Sequence, residues 1–193
     1  MPNSPLSSST TLLFLTGNAG KLKEVKTFLP EIEAWDIDLP EIQSADARQV
    51  IEAKLLEAVR LRPGTRLMVE DTSLYLDALG GLPGPLIKWF IKPGSLGLQG
   101  LYDLAEARDC FLARATTWIG LIEHTPTGLS LNFFEGTVSG RIVSPRGDKG
   151  FGWDPVFCPD GSEDSFAEMD PEVKVHFSMR SLALGGLQRF LAS

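Results

Sequence analysis

Cysteine and histidine are scarce in this chain, with two of each among 193 residues. Cys110 and Cys158 stand far apart with no partner motif, so neither a disulfide framework nor a zinc site is indicated. His124 and His176 have no motif around a candidate nucleophile, which leaves Ser/His or Cys/His catalysis unsupported and both side chains as surface histidines. Positive charge is also short: 18 Lys and Arg against 25 Asp and Glu leave a net charge of −7. That argues against a nucleic-acid or anionic-membrane partner, both of which need a basic surface. No apolar run approaches membrane-spanning length, and the first ten residues, MPNSPLSSST, lack an apolar signal core. Residues 1–10 read as a disordered tail, and the remainder as a cytoplasmic protein. Heptads and internal repeats are missing too.

What is present is ordinary globular composition, 43% hydrophobic and 22% charged, in a length that suits one sizeable α/β domain over residues 11–193. The apolar run Leu12 to Leu15 predicts a buried strand. It is followed at once by Thr16-Gly17-Asn18-Ala19-Gly20-Lys21, and then Leu22, Val25 and Phe28 recur at helical spacing. A glycine loop opening a helix offers backbone N–H groups and the positive end of the helix dipole to a phosphate, and Lys21 adds a full charge. Turn geometry alone would explain the same glycines. The loop is not a Walker A motif, whose glycine spacing and Lys-Ser/Thr pair it lacks.

Ile32 to Leu39 alternates like a strand and leads to Pro40-Glu41, where Glu41 has no local pattern to set it apart from a surface acid. From Ala45 to Leu61, Ala47, Val50, Ile51, Leu55, Ala58 and Val59 fall on one helical face, with Asp46 near the N-terminus. Lys54 lies inside that apolar stripe, so its ammonium either snorkels to the core edge or meets an anion in a cleft.

The stretch LMVEDTSLYLDALGGLPGPLIKWF, Leu67 to Phe90, places two adjacent carboxylates, Glu70 and Asp71, at the end of an apolar strand over Arg66 to Val69. A helical turn is expected over Thr72 to Leu79, then a Gly/Pro bend, then Lys88 on a short amphipathic segment with Trp89 and Phe90 packed in the core. A carboxylate fixed by a strand can hold a metal or activate water. Ser95 is placed to cap a helix carrying Leu98, Leu101 and Leu104. Cys110 to Ile122, Leu129 to Phe134 and Gly136 to Val143 predict three antiparallel strands, the last two separated at Glu135-Gly136.

The loop Pro145 to Pro155 is dense in glycine and aromatics, and Phe151 and Trp153 either cover a planar ligand or fold back as a plug. Asp154 before Pro155 is expected to be extended. Pro171 suits a helix first turn and Ser178 an N-cap, which puts Arg180 in the first turn of the last helix, a cation opposing the helix dipole. The order of elements predicts α/β architecture with a mixed sheet. Lys21, Lys54, Lys88, Lys174 and Arg180 form a candidate anion site. Glu41, Glu70, Asp71 and Asp154 offer hard oxygen donors suited to magnesium rather than zinc.

TGNAGKLKE, LPEIQ, VEDTSLYLDALGGLPGPLIKWF, SGRIVSPRG, FGWDPVF and FAEM, in this order, resemble the inosine triphosphate pyrophosphatase family from about Leu12 to the C-terminus. The resemblance implies a two-lobed α/β fold around an extended mixed central sheet, a nucleotide in the cleft between lobes, and a homodimer. It implies Mg²⁺-dependent cleavage, with Mn²⁺ as a substitute, of (d)ITP or XTP to the monophosphate and pyrophosphate. Carried onto this chain, Thr16, Gly17, Asn18, Ala19, Gly20 and Lys21 cradle the phosphates with Lys54 and Lys88. Glu41 and Asp71 bind metal, Asp71 with its neighbour Thr72 also contacts substrate, and Asp71 and Lys54 are catalytic. Phe151, Gly152, Trp153 and Asp154 enclose base and sugar, and Lys174, Met179 and Arg180 complete the base end. There the chain departs from the family: Ser178-Met179-Arg180 replaces Ser-His-Arg, and Val175 replaces the asparagine after the lysine. A thioether donates no hydrogen bond to a purine edge. Alternatives at that point are a weakly active nucleotide-binding homologue, or a pyrophosphatase for other modified nucleotides.

Overall fold

A computed structural model describes residues 11–193; the expected tail, residues 1–10, lies outside them. Strand β1 (Leu12–Leu15) leads into helix α1 (Ala19–Phe28), then β2 (Glu33–Trp35), α2 (Ala47–Leu61) and β3 (Arg66–Leu76). Strand β4 (Pro83–Gly84), helices α3 (Ile87–Ile91) and α4 (Gly97–Ala107), and strands β5 (Leu112–Thr125) and β6 (Gly128–Ile142) follow. Strand β7 (Phe157–Pro159) and helices α5 (Pro171–Phe177) and α6 (Met179–Leu191) close the chain. The sheet order is β2-β1-β3-β5-β6-β7, with β4 also on β3. β1 pairs in parallel with β2 and β3, and the remaining pairs are antiparallel, so the sheet is mixed as expected.

Three local expectations are corrected. The span Thr72 to Leu76 is strand, not a helical turn, because Leu74 and Leu76 must both enter the core; a short 3₁₀ turn, Asp77–Leu79, follows. Strand β6 runs unbroken through Glu135-Gly136. Gly136 is there because α6 crosses it: a Cβ would lie 1.9 Å from the Met179 carbonyl oxygen. Ser95 does not cap α4, since its hydroxyl donates to the Phe90 and Lys92 carbonyls and closes α3 instead.

The apolar core is divided along β3 and β5. At one end Phe14, Met68, Ile119 and Leu121 pack under α1 and α6, while Leu67, Val69 and Ile122 pack under α2 on the other face. At the opposite end Leu74, Leu76, Ala113 and Ala115 pack with Leu101, Phe157 and Phe166. These are the two lobes. Between them lies a polar belt, in which Glu70 to Ser73 stand opposite Thr116 to Ile119. On the other side of β3, β1 pairs only as far as Met68 and β4 begins at Leu74. The middle of β3 therefore has an open edge from which side chains of both faces reach one cleft.

Candidate functional site

Helix α1 starts where the glycine loop ends. The Asn18 carboxamide accepts from the Lys21 amide at 3.0 Å, and the Thr16 hydroxyl accepts from the Asn18 amide at 3.1 Å. Two loop amides are thus already satisfied, and the loop's free positive charge rests mainly on Lys21. Lys21 reaches to 3.2 Å from Glu70. The loop also needs its glycines for close approach: a Cβ on Gly17 would meet the Asp36 carboxylate at 2.8 Å, and one on Gly20 the Phe151 ring at 2.7 Å.

A cavity of about 230 Å³ opens at the free edge of β3. It gathers Lys21, Lys54 and Lys88 with Glu41, Glu70 and Asp71, drawn from α1, α2, α3, the loop before α2 and β3. Lys54 is therefore an anion-facing lysine rather than a snorkelling one: it and Lys88 both donate to the Glu41 carboxylate, Lys88 at 2.8 Å. Trp89, the neighbour of Lys88, is exposed rather than core, with Lys88 and Lys92 over its ring.

Glu70 and Asp71 are adjacent but have opposite environments. Glu70 is buried, and burial would raise its pKa; two bonds from Arg180, at 2.8 and 3.1 Å, one from Thr72 at 2.6 Å and the Lys21 charge outweigh this. The net effect holds it well below the usual carboxylate range. Asp71 faces the other way and has one side-chain hydrogen bond, from the Ser73 hydroxyl at 3.1 Å. Burial pushes its pKa up, with Lys21 and the Ser73 bond only partly offsetting it. A half-buried carboxylate with so little local compensation is one that a cation would stabilise.

Behind Phe151 lies a second cavity of about 260 Å³, sharing Phe151 and Arg180 with the first. Its walls include Phe28, Phe166, Met169 and Leu184, and its polar lining includes Lys174, Arg180 and Glu24. Lys174 donates to Asp154 at 2.8 Å and to Glu24 at 3.1 Å, and Glu24 also takes Arg180. Asp154 is not extended; it opens a 3₁₀ turn, Asp154–Val156, and is fixed by Lys174 and the Phe151 amide, the latter at 2.8 Å. Trp153 is the plug of the aromatic pair, buried edge-on against Phe157. Phe151 is the cover, with Lys174 and Arg180 over its ring.

Of the residues expected at the site, Asn18, Lys21, Glu41, Lys54, Asp71, Thr72, Lys88, Phe151, Gly152, Trp153, Asp154, Met179 and Arg180 line the first cavity. Gly20 and Lys174 line the second. Thr16, Gly17 and Ala19 line neither and shape the loop. Met179 is a core residue as well as a wall, only 2% exposed. Glu24 has no role and Glu70 a minor one among the sequence-based expectations above. Glu24 lies three residues beyond Lys21, on the same helical face, which was the available signal.

Among the described residues no three His, Cys, Asp or Glu side chains form a ready metal cage. The carboxylates lining the charged cavity are Glu41, Glu70, Asp71 and Asp154, hard oxygens with no imidazole or thiolate among the lining residues; Arg180 grips Glu70 and Lys174 holds Asp154, which leaves Glu41 and Asp71 as the more available pair. That set fits Mg²⁺, which is held by one or two carboxylates with phosphate oxygens completing its shell.

Fold and site together define an α/β protein with a cleft of two compartments, one charged and one largely apolar. A Ham1 family model matches residues 12–190, and the chain belongs to that family. It is 40% identical over 186 residues to an inosine triphosphate pyrophosphatase of Schizosaccharomyces pombe, covering 95% of this chain and 96% of that one. The corresponding protein of Kluyveromyces lactis is 38% identical over 189 residues, covering 93% and 95%. Among solved structures, the Staphylococcus aureus Ham1 protein superposes with a TM-score of 0.78 at 23% identity, covering 94% of this chain and 98% of that one, a likeness of fold. A dITP/XTP pyrophosphatase of Mycobacterium abscessus gives 0.68 at 27%, covering 92% and 98%.

Proposed function

We propose that this protein hydrolyses non-standard purine nucleoside triphosphates, (d)ITP and XTP, to the nucleoside monophosphate and pyrophosphate. The observation that carries this is the pairing of compartments: a charged cavity lined by three lysines and four carboxylates adjoins a largely apolar one across Phe151. A triphosphate suits the first and a planar base the second. The full-length similarity to inosine triphosphate pyrophosphatases supports the same substrate class.

In this reading Lys21, Lys54 and Lys88 bind the phosphates, and Phe151 swings to stack on the base. Lys174 and Arg180 face the polar edge of the purine. Asp71, poised by burial to accept a proton, takes one from the attacking water, and Lys54 and Lys88 stabilise charge growing on the leaving pyrophosphate. Glu41 and Asp71 hold Mg²⁺, or Mn²⁺ in its place, which supplies charge neutralisation along the phosphate chain. On the resemblance alone, the protein works as a homodimer in the cytoplasm.

The test is turnover of ITP, XTP, GTP and ATP with and without Mg²⁺. Release of pyrophosphate from ITP and XTP in preference to ATP is expected. Orthophosphate as the sole product would overturn the proposal.

A further inference from the structure

Two of the three lysines in the charged cavity are already occupied by one carboxylate. Glu41 accepts from Lys54 through one oxygen and from Lys88 through the other, the latter at 2.8 Å. The three residues come from the loop before α2, the middle of α2 and α3, so the convergence is tertiary. Among the described residues these lysines are the only side chains bonded to the Glu41 carboxylate. The contrast with Glu70 is informative. Glu70 is wholly buried and gripped by Arg180 through both oxygens, so its contact with Lys21 is fixed. Glu41 is 28% exposed on an irregular loop, and the side chain of Lys88 is 56% exposed. One pair is built to stay and the other is free to exchange.

We propose that Glu41 couples cation binding to phosphate binding. In the empty cavity it occupies Lys54 and Lys88 as an internal stand-in for phosphate, and it gives them up when its carboxylate turns to a divalent cation. This rests on the reading of the cavity as a triphosphate site. While Glu41 stays on the two ammonium groups, its charge repels phosphate oxygens drawn to the same donors, so the cation-free protein binds its substrate weakly. By linkage, the cation strengthens the anion and the anion the cation by one common factor. Glu41 is thus a positioning residue in the empty state as well as a ligand in the filled one, and the two roles have opposite signs.

That sign difference is measurable without turnover. Calorimetric titration with the α,β-methylene analogue of inosine triphosphate is run on the intact protein, in EDTA and in Mg²⁺. In EDTA, Glu41→Gln should bind the analogue roughly five- to tenfold more tightly than wild type, the factor expected for releasing two partly exposed ion pairs. Its gain on adding Mg²⁺ should be smaller than that of wild type. Glu41→Gln binding no more tightly than wild type in EDTA would overturn the proposal. Lys88→Met, a change at an exposed side chain, is an independent arm. It should lose several-fold less affinity in EDTA, where Glu41 already neutralises the lysine, than in Mg²⁺; equal losses would overturn the proposal. A wild-type protein that takes the analogue in neither condition removes the triphosphate reading and this inference together. Mg²⁺-dependent wild-type binding with no gain in Glu41→Gln removes this inference alone.

Discussion

Neutralising Glu70 and Asp71 one at a time should move stability in opposite directions, although the residues are adjacent on one strand. The Glu70 side chain is fully buried, and Arg180, whose own side chain is 2% exposed, spends two of its donors on it. Glu70→Gln leaves that guanidinium with Glu24, a partner 32% exposed, as its remaining carboxylate. Removing one member of a buried pair costs about 3–5 kcal/mol. With Glu24 still present the lower figure applies, about 3 kcal/mol, or a fall of roughly 6–12 °C in Tm for a domain of this size. Asp71→Asn keeps the shape and the Ser73 bond while deleting a charge that burial disfavours. It should stabilise the cation-free protein by on the order of 1 kcal/mol, raising Tm by about 2–4 °C, while abolishing turnover. The pH dependence separates them too. Because the Glu70 pKa is depressed, its contribution is present above the unfolded carboxylate value of about 4.3 and is lost as pH falls toward the folded one. Because the Asp71 pKa is raised, its contribution is present at low pH and lost as pH rises through the folded value. Thermal unfolding in EDTA at pH 7 is the assay. Equal destabilisation by both variants, or a Glu70→Gln protein as stable as wild type, would refute this account of the polar belt.

Gly136→Ala should destabilise by about 3 kcal/mol, at the upper end of overpacking costs, and reduce activity by displacing the first turn of α6 with Arg180; denaturant unfolding reads the first effect and ITP turnover the second. Gly20→Ala presses on the Phe151 ring and should raise KM several-fold with little change in kcat, seen in steady-state kinetics on ITP. Met179→His brings a polar ring to the wall of the charged cavity and not of the apolar one, so it should change KM for ITP and ATP alike and leave the ratio of their kcat/KM within about twofold of wild type in steady-state kinetics, less than one base-reading hydrogen bond of roughly 0.5–1.5 kcal/mol would give. It should also lower stability, since the side chain is packed in the core. Chelation with EDTA should abolish pyrophosphate release, restored by Mg²⁺ and by Mn²⁺.

Locally encoded features were legible in the sequence. The Asp46 and Ser178 caps, Pro171 at a helix start, the apolar face of α2 and the strand before Glu70 each depend on neighbours within a few positions. The misreadings arose where distant packing decides. The alternation Ser73, Leu74, Tyr75, Leu76 was available as a strand signal, but Gly80-Gly81 resembled a helix stop. Gly136 resembled a strand break because the reason for it, the backbone of α6, is over forty positions away. Two of the lysines are legible because Lys54 sits against its own helical pattern and Lys88 follows a rigid bend. Glu24 was overlooked because an exposed-looking acid on α1 acquires meaning only when α6 brings Arg180 to it, 156 residues later in the chain. The divided core that leaves β3 open between Met68 and Leu74 is likewise a property of strand lengths, which composition does not set.

The most direct measurement is product stoichiometry in a single turnover of ITP with Mg²⁺, comparing wild type with Asp71→Asn. One pyrophosphate for each inosine monophosphate is expected from wild type and none from Asp71→Asn, with both proteins folded. Orthophosphate with inosine diphosphate, or undiminished pyrophosphate release by Asp71→Asn, would contradict this expectation.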